Sequence, residues 1–319
     1  MTKNYELLRA LTSDLGLNAP ILKGQAVPVR NCWHFSTNGT LVDFMFRDEE
    51  DFEAGMNRIF VLRKRHKVII LAFVLMDTHV HFILWGELRE CEMFVHEFIK
   101  LTSRHIAHKY GERHKFEHLL PDYQTIGDDR YLKTAICYVL KNPPVGGLAY
   151  NALEYPWSSA SLYFRKHGYW TSPGWESLMK SSEEFSVRNL RDILRCRNVP
   201  RKAFRLIGNI VFPGEYVAAE LVEKLFRTHR AFNFFMCISK ETDIESVQGS
   251  ISRLTIPNAE LGQHKTELCR SRFGVDTIRK LSTKQRLVLA RELKATYNCS
   301  PKQIAKACGL IYAEVKEML

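Results

Sequence analysis

Apolar and polar positions follow two rhythms along this chain, and the switches between them outline its first half. Residues 31–37 (NCWHFST) form an aromatic-rich, strand-like run closed by the turn signal Asn38-Gly39. From Asp48 to Arg65 the rhythm becomes helical. Acidic residues come first and basic ones last, as the helix dipole favours, and Phe52, Met56, Ile59, Phe60 and Arg63 recur at helical spacing. Lys67 to Leu75 is apolar and β-branched, as a buried strand is. Asp77-Thr78 makes a tight connection into a second strand, His79 to Trp85 (HVHFILW), antiparallel to the first. A long amphipathic helix follows from Glu90 to Tyr110, with Phe94, Phe98, Leu101 and Ile106 inward and Gly111 at its C-terminal stop.

Tyr123 to Ile126 reads as a further short strand. Asp128-Asp129 opens a helix that the prolines end at Asn142-Pro143-Pro144. Residues 146–159 are turn-rich and finish in Tyr155-Pro156-Trp157-Ser158-Ser159. This order predicts an α+β fold, an antiparallel sheet with helices packed on one side. Residues 166–270 are less legible: a short strand from Ile207 to Phe212, ended by Pro213-Gly214, then an amphipathic helix from Glu215 to Arg230. The last 40 residues are clearer. Ser282 to Tyr297 is a helix with Leu287, Ala290 and Leu293 buried. Ser300-Pro301 is a cap followed by proline at the first helical position. A short helix from Lys302 to Ala307, a glycine turn at Cys308-Gly309-Leu310 and a final helix from Tyr312 to Leu319 complete an all-α helix-turn-helix region.

Composition narrows the class. Apolar residues make up 45% and charged residues 25%, as in an ordinary globular chain. No apolar run approaches the roughly 18 residues that span a bilayer, so no membrane is expected. The N-terminal stretch, Met1 to Ala10, lacks a secretory apolar core. The eight cysteines form no C-x-x-C pair, which removes zinc-ribbon and dithiol redox motifs and points to free thiols in a reducing cytoplasm. The formal net charge of +11 fits a polyanionic partner, although charge alone does not select nucleic acid.

Two short motifs carry chemistry. On a strand, His79 and His81 point to one face, about 6.5–7 Å apart along it, where two neutral imidazoles can share a divalent ion. Taken alone, the motif is more commonly that of two ordinary strand histidines. Tyr138 and Asn142, four residues apart, share a helix face, and Asn142 sits at the helix end with its amide oxygen available. A phenol with a pKa near 10 is a poor nucleophile at neutral pH unless a cation neutralises the phosphate it attacks. Alone, this pair is a core tyrosine and a C-capping asparagine. Tyr131, about two turns earlier on the same face, lacks an amide four residues on. His105 and His108 read as the polar face of the long helix, and His114 and His118 as surface residues.

Together and in this order, the motifs resemble those of the single-tyrosine HUH transposases, including the REP-associated tyrosine transposases. The matching residues are M-D-T-H-V-H-F-I-L at 76–84 and Y-V-L-K-N-P at 138–143, then Gly147-Leu148 and Tyr155-Pro156-Trp157-Ser158-Ser159. The resemblance covers roughly residues 25–165 and implies an HUH endonuclease (ferredoxin/RRM-like) fold. It implies that His79, His81 and Asn142 ligate Mg²⁺ or Mn²⁺, with Asn142 in the place where other members use glutamine. Tyr138 would attack single-stranded DNA, usually beside an imperfect hairpin, giving a 5′-phosphotyrosine and a free 3′-hydroxyl without ATP. It also implies a bacterial, cytoplasmic, nucleoid-associated protein.

The domains expected are therefore 1–165, the nuclease; 166–270, a connecting region of open role; and 271–319, a DNA-binding helix-turn-helix. From Arg270 onward eleven Lys/Arg face four acidic residues. The final helix with Tyr312 would enter a major groove, flanked by Lys302, Gln303 and Lys306 as phosphate contacts. A small bundle serving protein contacts is the alternative for this region. For the whole chain, the alternative is a domesticated, non-catalytic DNA-binding regulator. A replication initiator with a helicase is disfavoured, since no Walker-type loop occurs. The sequence leaves open whether the protein is a monomer or a homodimer.

Overall fold

The computed structural model describes residues 30–39, 44–111, 116, 119–149, 151–164, 178–238, 258–296, 301–315 and 318. The expectations for Met1–Ala10, His114 and His118 lie outside these residues. The first half is α+β. Strands β1 (Arg30–Ser36), β2 (Ile69–Leu75), β3 (Val80–Glu87) and β4 (Asp122–Ile126) form an antiparallel sheet in the order β2-β3-β1-β4. Helices α1 (Glu49–Arg63) and α2 (Leu88–Tyr110) connect β1 to β2 and β3 to β4, and α3 (Asp129–Val145) follows β4. No described helix is long and apolar enough to cross a membrane.

Helices cover both faces of this sheet, not one. Phe82 of β3 packs on Phe94 and Phe98 of α2, whereas its neighbour His81 faces Tyr138 of α3 on the opposite side. Every residue of β2 (IILAFVL) is buried, as expected where both faces are covered. Although β2 is an edge strand, its outer edge is not open. The Leu75 N–H donates to Trp157 O, the Ser159 N–H to Phe73 O and the Ala218 N–H to Ile70 O. The Tyr-Pro-Trp-Ser-Ser run thus has a structural job. The Tyr155 hydroxyl donates to Leu75 O at 2.7 Å, and Trp157 stacks on Phe52. Covering the edge in this way also removes a surface open to aberrant strand pairing.

The helix ends show where local chemistry overrode or followed expectation. Gly111 ends α2 in the left-handed region, as predicted. Helix α3 does not stop at Asn142 but runs to Val145 through Pro143 and Pro144. Pro143 has no N–H for the Val139 carbonyl, and the Asn142 side-chain amide takes over, donating to Tyr138 O at 3.0 Å and Val139 O at 3.4 Å. His105 is not on a polar helix face. It is buried, and its Nε2 donates to Asp51 Oδ1 at 2.9 Å.

Residues 178–232 contribute to the same hydrophobic cluster as the sheet. The expected strand at 207–212 is instead a hairpin of β6 (Arg205–Ile207) and β7 (Ile210–Val211), turned at Gly208 with φ 57° and joined by β5 (Met179–Ser181). Asn57 of α1 holds this hairpin, donating to Asn209 O and accepting from the Val211 N–H. The expected helix 215–230 is divided by Arg227 (φ 68°) into α5 (Ala219–Phe226) and α6 (His229–Ile238), and α4 (Val187–Leu194) precedes both in the chain. A second cluster gathers α7 (Asn258–Phe273), α8 (Thr283–Thr296), α9 (Pro301–Ala307) and α10 (Tyr312–Val315), with Phe44 from the first half packed into it. Gly309, between α9 and α10, has φ 57°, the left-handed turn expected there.

Asp51 ties α1 to α2. It is fully buried and accepts from His105, from Lys109 Nζ and the Tyr110 hydroxyl, and from the Arg47 N–H. Burial pushes its pKa up, but these hydrogen bonds outweigh that and hold the carboxyl well below the usual carboxylate range. With the folded pKa below the unfolded one, the stabilisation is complete above about pH 4 and is lost progressively as pH falls from there through the lower folded pKa. Asp51→Asn should therefore cost about 3 kcal/mol at pH 7 and flatten the acid limb of the stability curve. Denaturant unfolding followed from pH 7 to pH 3 checks this; an acid limb as steep as the wild type's contradicts it.

Candidate active site

The Asp77-Thr78 loop is the two-residue turn of the β2-β3 hairpin, closed by the Met76 N–H donating to His79 O at 2.8 Å. His79 immediately precedes β3 and His81 lies within it. Both are buried, 5% and 6% exposed, with ring centroids 5.0 Å apart and planes at 83°. Burial drives both basicities down, His79 to about 3 and His81 well below its ordinary value. The Lys306 ammonium lowers both further, and the Asn142 side chain opposes the shift. Both rings are thus neutral at physiological pH, the form that ligates metal.

Each ring uses Nδ1 for the protein. His79 Nδ1 lies 3.0 Å from the Thr78 hydroxyl, and His81 Nδ1 lies 3.0 Å from His34 Nε2. Each keeps Nε2 buried without a hydrogen-bond partner. Two orphaned imidazole nitrogens on one side of a sheet fit a metal ion, with Thr78 and His34 as the outer groups that set ring orientation. Asn142 is the residue that could supply a third donor. Its amide nitrogen is committed to the helix carbonyls of Tyr138 and Val139, which leaves the amide oxygen as its one atom available to a cation. Among the described residues no cluster of three or more His, Cys, Asp or Glu is placed to hold a metal, so a site here depends on that amide.

Tyr138, half-buried, stands edge-on to His81 with centroids 5.9 Å apart, and to His34 at 5.8 Å. The four sequence-selected residues, His79, His81, Tyr138 and Asn142, are therefore brought together. Tyr131 is turned to Gln124 instead, its hydroxyl donating at 3.3 Å. His34 was not singled out from the sequence. The signal was present in the alternation of β1, where Cys32, His34 and Ser36 share a face, and Ser36 pairs with His81 across the ladder. Gly39 was read only as a turn. A Cβ there would come within 2.8 Å of Thr78 Oγ1 and 3.0 Å of His79 Nδ1, so this turn rests directly on the His79 support.

The C-terminal candidates are dispersed. Gln303 is buried, and Lys306 is exposed, on a cavity that His79, Asn142, Thr78 and Lys265 also line. Tyr312 is half-buried against the second cluster. Lys302 lies in α9, with its side chain outside the described residues.

No protein-family model matches this chain, and no curated protein matches it. Among solved structures, a REP-associated tyrosine transposase bound to a REP hairpin is similar with TM-score 0.33 and 14% identity, over 46% of this chain and 87% of that one.

A ligating role for both Nε2 atoms sets an expectation for the free protein. His79 and His81 should both carry their proton on Nδ1 at neutral pH, leaving a lone pair on Nε2. Imidazole ¹⁵N chemical shifts report the tautomer directly, and an Nε2-protonated form of either ring contradicts the arrangement.

Proposed function

We propose that this protein is an HUH-type transposase that cleaves and rejoins single-stranded DNA through Tyr138. The observation that carries the reading is the pair of buried, unpartnered Nε2 atoms of His79 and His81, beside the Asn142 amide and the Tyr138 ring. The motif resemblance and the net positive charge support the same substrate. His79, His81 and Asn142 would hold Mg²⁺ or Mn²⁺. When bound, such an ion neutralises phosphate charge and stabilises the charge that develops during displacement. None of the three ligands is anionic, so the phosphate itself supplies the compensating charge.

The chain's own residues divide the remaining work. The Tyr138 phenol loses its proton and forms an oxygen–phosphorus bond. The phosphorus–O3′ bond breaks, and the leaving 3′ oxygen takes up a proton. The 5′-phosphotyrosine keeps the energy of the phosphodiester, so a 3′-hydroxyl can later displace the tyrosine and reseal the strand without ATP. Thr78 and His34 hold the imidazoles in orientation. Helix α3 holds Tyr138 and Asn142 one turn apart, and the Asn142 amide nitrogen is committed to the helix carbonyls, which leaves its oxygen for the cation. The nuclease site lies within residues 1–165, and residues 178–238 complete the core that supports it. The helical region 271–319 binds duplex DNA, such as the stem of a hairpin, through Lys302 and Tyr312; Gln303 is buried and Lys306 faces the cavity beside His79, so neither is placed to read a duplex.

Labelled hairpin DNA with a single-stranded flank, incubated with Mn²⁺ and resolved on a denaturing gel, tests the chemistry. A covalent protein–DNA band is expected, abolished by chelator and reduced at least about a thousandfold by Tyr138→Phe. A band that persists in Tyr138→Phe refutes the assignment. Binding without any covalent band in the wild type favours a non-catalytic regulator.

A further inference from the structure

The cavity beside His79 is closed by the C-terminal bundle, and the bundle brings two cations to it. Helix α7 seats on the end of α3 through glycines: a Cβ on Gly147 would meet the Gly262 Cα at 3.0 Å, and the converse distance is also 3.0 Å. Gly147 has φ 71°, which further disfavours any other residue there. This contact puts Lys265, three residues beyond Gly262, on the cavity wall with His79, Asn142 and Thr78. Lys306 of α9 lines the same cavity and is close enough to depress both histidines. Arg279 closes the assembly from another side, pairing with Asp77 of the hairpin turn and lying over Phe52.

Lys265 is the unusual member. It is only 7% exposed, yet among the described residues it has no ion pair and no hydrogen bond. The stem of Lys265 is buried while its ammonium nitrogen is not sealed off, so an anion that enters the cavity can meet a cation that no protein group has already paired. Lys306 likewise has no ion pair among the described residues. The one carboxylate on the cavity, Asp77, is already engaged by Arg279. The cavity therefore has two uncompensated positive charges, a neutral imidazole and no free acid.

We infer that Lys265 and Lys306 form an anion subsite that takes a backbone phosphate of the DNA strand next to the one held at Tyr138. The inference rests on the transposase reading for its ligand. It makes the bundle part of the strand-binding site as well as a reader of duplex DNA. Both lysines act as positioning residues: they hold the strand in register with the tyrosine and touch no reacting atom.

The test uses the full chain, a fluorescent single-stranded oligonucleotide and anisotropy titrations across salt, with Lys265→Met, Lys306→Met and Tyr138→Phe. Each lysine variant should lower affinity roughly fivefold at about 0.1 M salt and reduce the slope of log affinity against log salt by about 0.7. Lys265→Met should also leave the melting temperature little changed, because Met keeps the buried aliphatic stem and no protein partner of the ammonium is lost. Tyr138→Phe should bind as the wild type does. Unchanged affinity and slope in both lysine variants overturn the subsite, as does a Lys265→Met protein that melts much earlier yet binds normally. Lys306 is exposed, so its variant tests the idea even if Lys265→Met fails to fold. The two readings separate cleanly. Loss of binding in the lysine variants, with no covalent product from the wild type, keeps the subsite and removes the tyrosine chemistry. Normal binding alongside a normal covalent product does the reverse.

Discussion

Two imidazoles buried side by side in an apolar sheet constrain everything around them. Neither can be protonated there, because burial removes the water that would solvate the charge. Each already spends Nδ1 on a neighbour, and each is left with an Nε2 that finds nothing. An unsatisfied buried nitrogen costs on the order of 1–3 kcal/mol. Holding two of them requires a rigid frame, and the frame is visible: β3 is paired on both sides, and the turn at Gly39 lies so close to Thr78 and His79 that a Cβ there would clash.

The rest of the first half keeps α3 at the correct distance from that frame. β2 carries α3 on one face and α1 on the other, so its outer edge has to be secured by other means. Residues 157–159 and 218 do this through backbone bonds, with the Tyr155 and Tyr163 hydroxyls donating to the Leu75 and Leu71 carbonyls. Residues 178–238 extend the same core; Asn57, Phe60 and Tyr216 join α1 to that extension. The C-terminal bundle is then locked on by the Gly147–Gly262 approach and the Arg279–Asp77 pair. Both contacts sit within a few residues of the proposed ligands, so the bundle's seating and the site's shape are mechanically linked.

Much of this was legible in the residues, and the parts that were not share a cause. β3, α2 with its Gly111 stop, and the helix carrying Tyr138 and Asn142 announce themselves through local period and capping chemistry. The one-sided sheet was a wrong expectation because β2 reads as a plain apolar run, and such a run does not say how many faces are covered. His34 escaped notice because its role depends on strand register across 47 positions, not on a neighbour in sequence. Pro143 misled because the side chain that rescues its missing hydrogen bond is the preceding residue, Asn142. Lys265 sits in a helix with no marked apolar stripe; its isolation emerges only when α7 meets α3.

The central claim is that His79, His81 and Asn142 together hold one divalent cation. Titration of Mn²⁺ followed by the loss of its free electron-spin-resonance signal, with and without single-stranded DNA, tests it most directly. The account predicts one ion per chain, bound more tightly when DNA is present, and bound no longer when His81 is replaced by Ala. Stoichiometry and affinity unchanged in His81→Ala would contradict it.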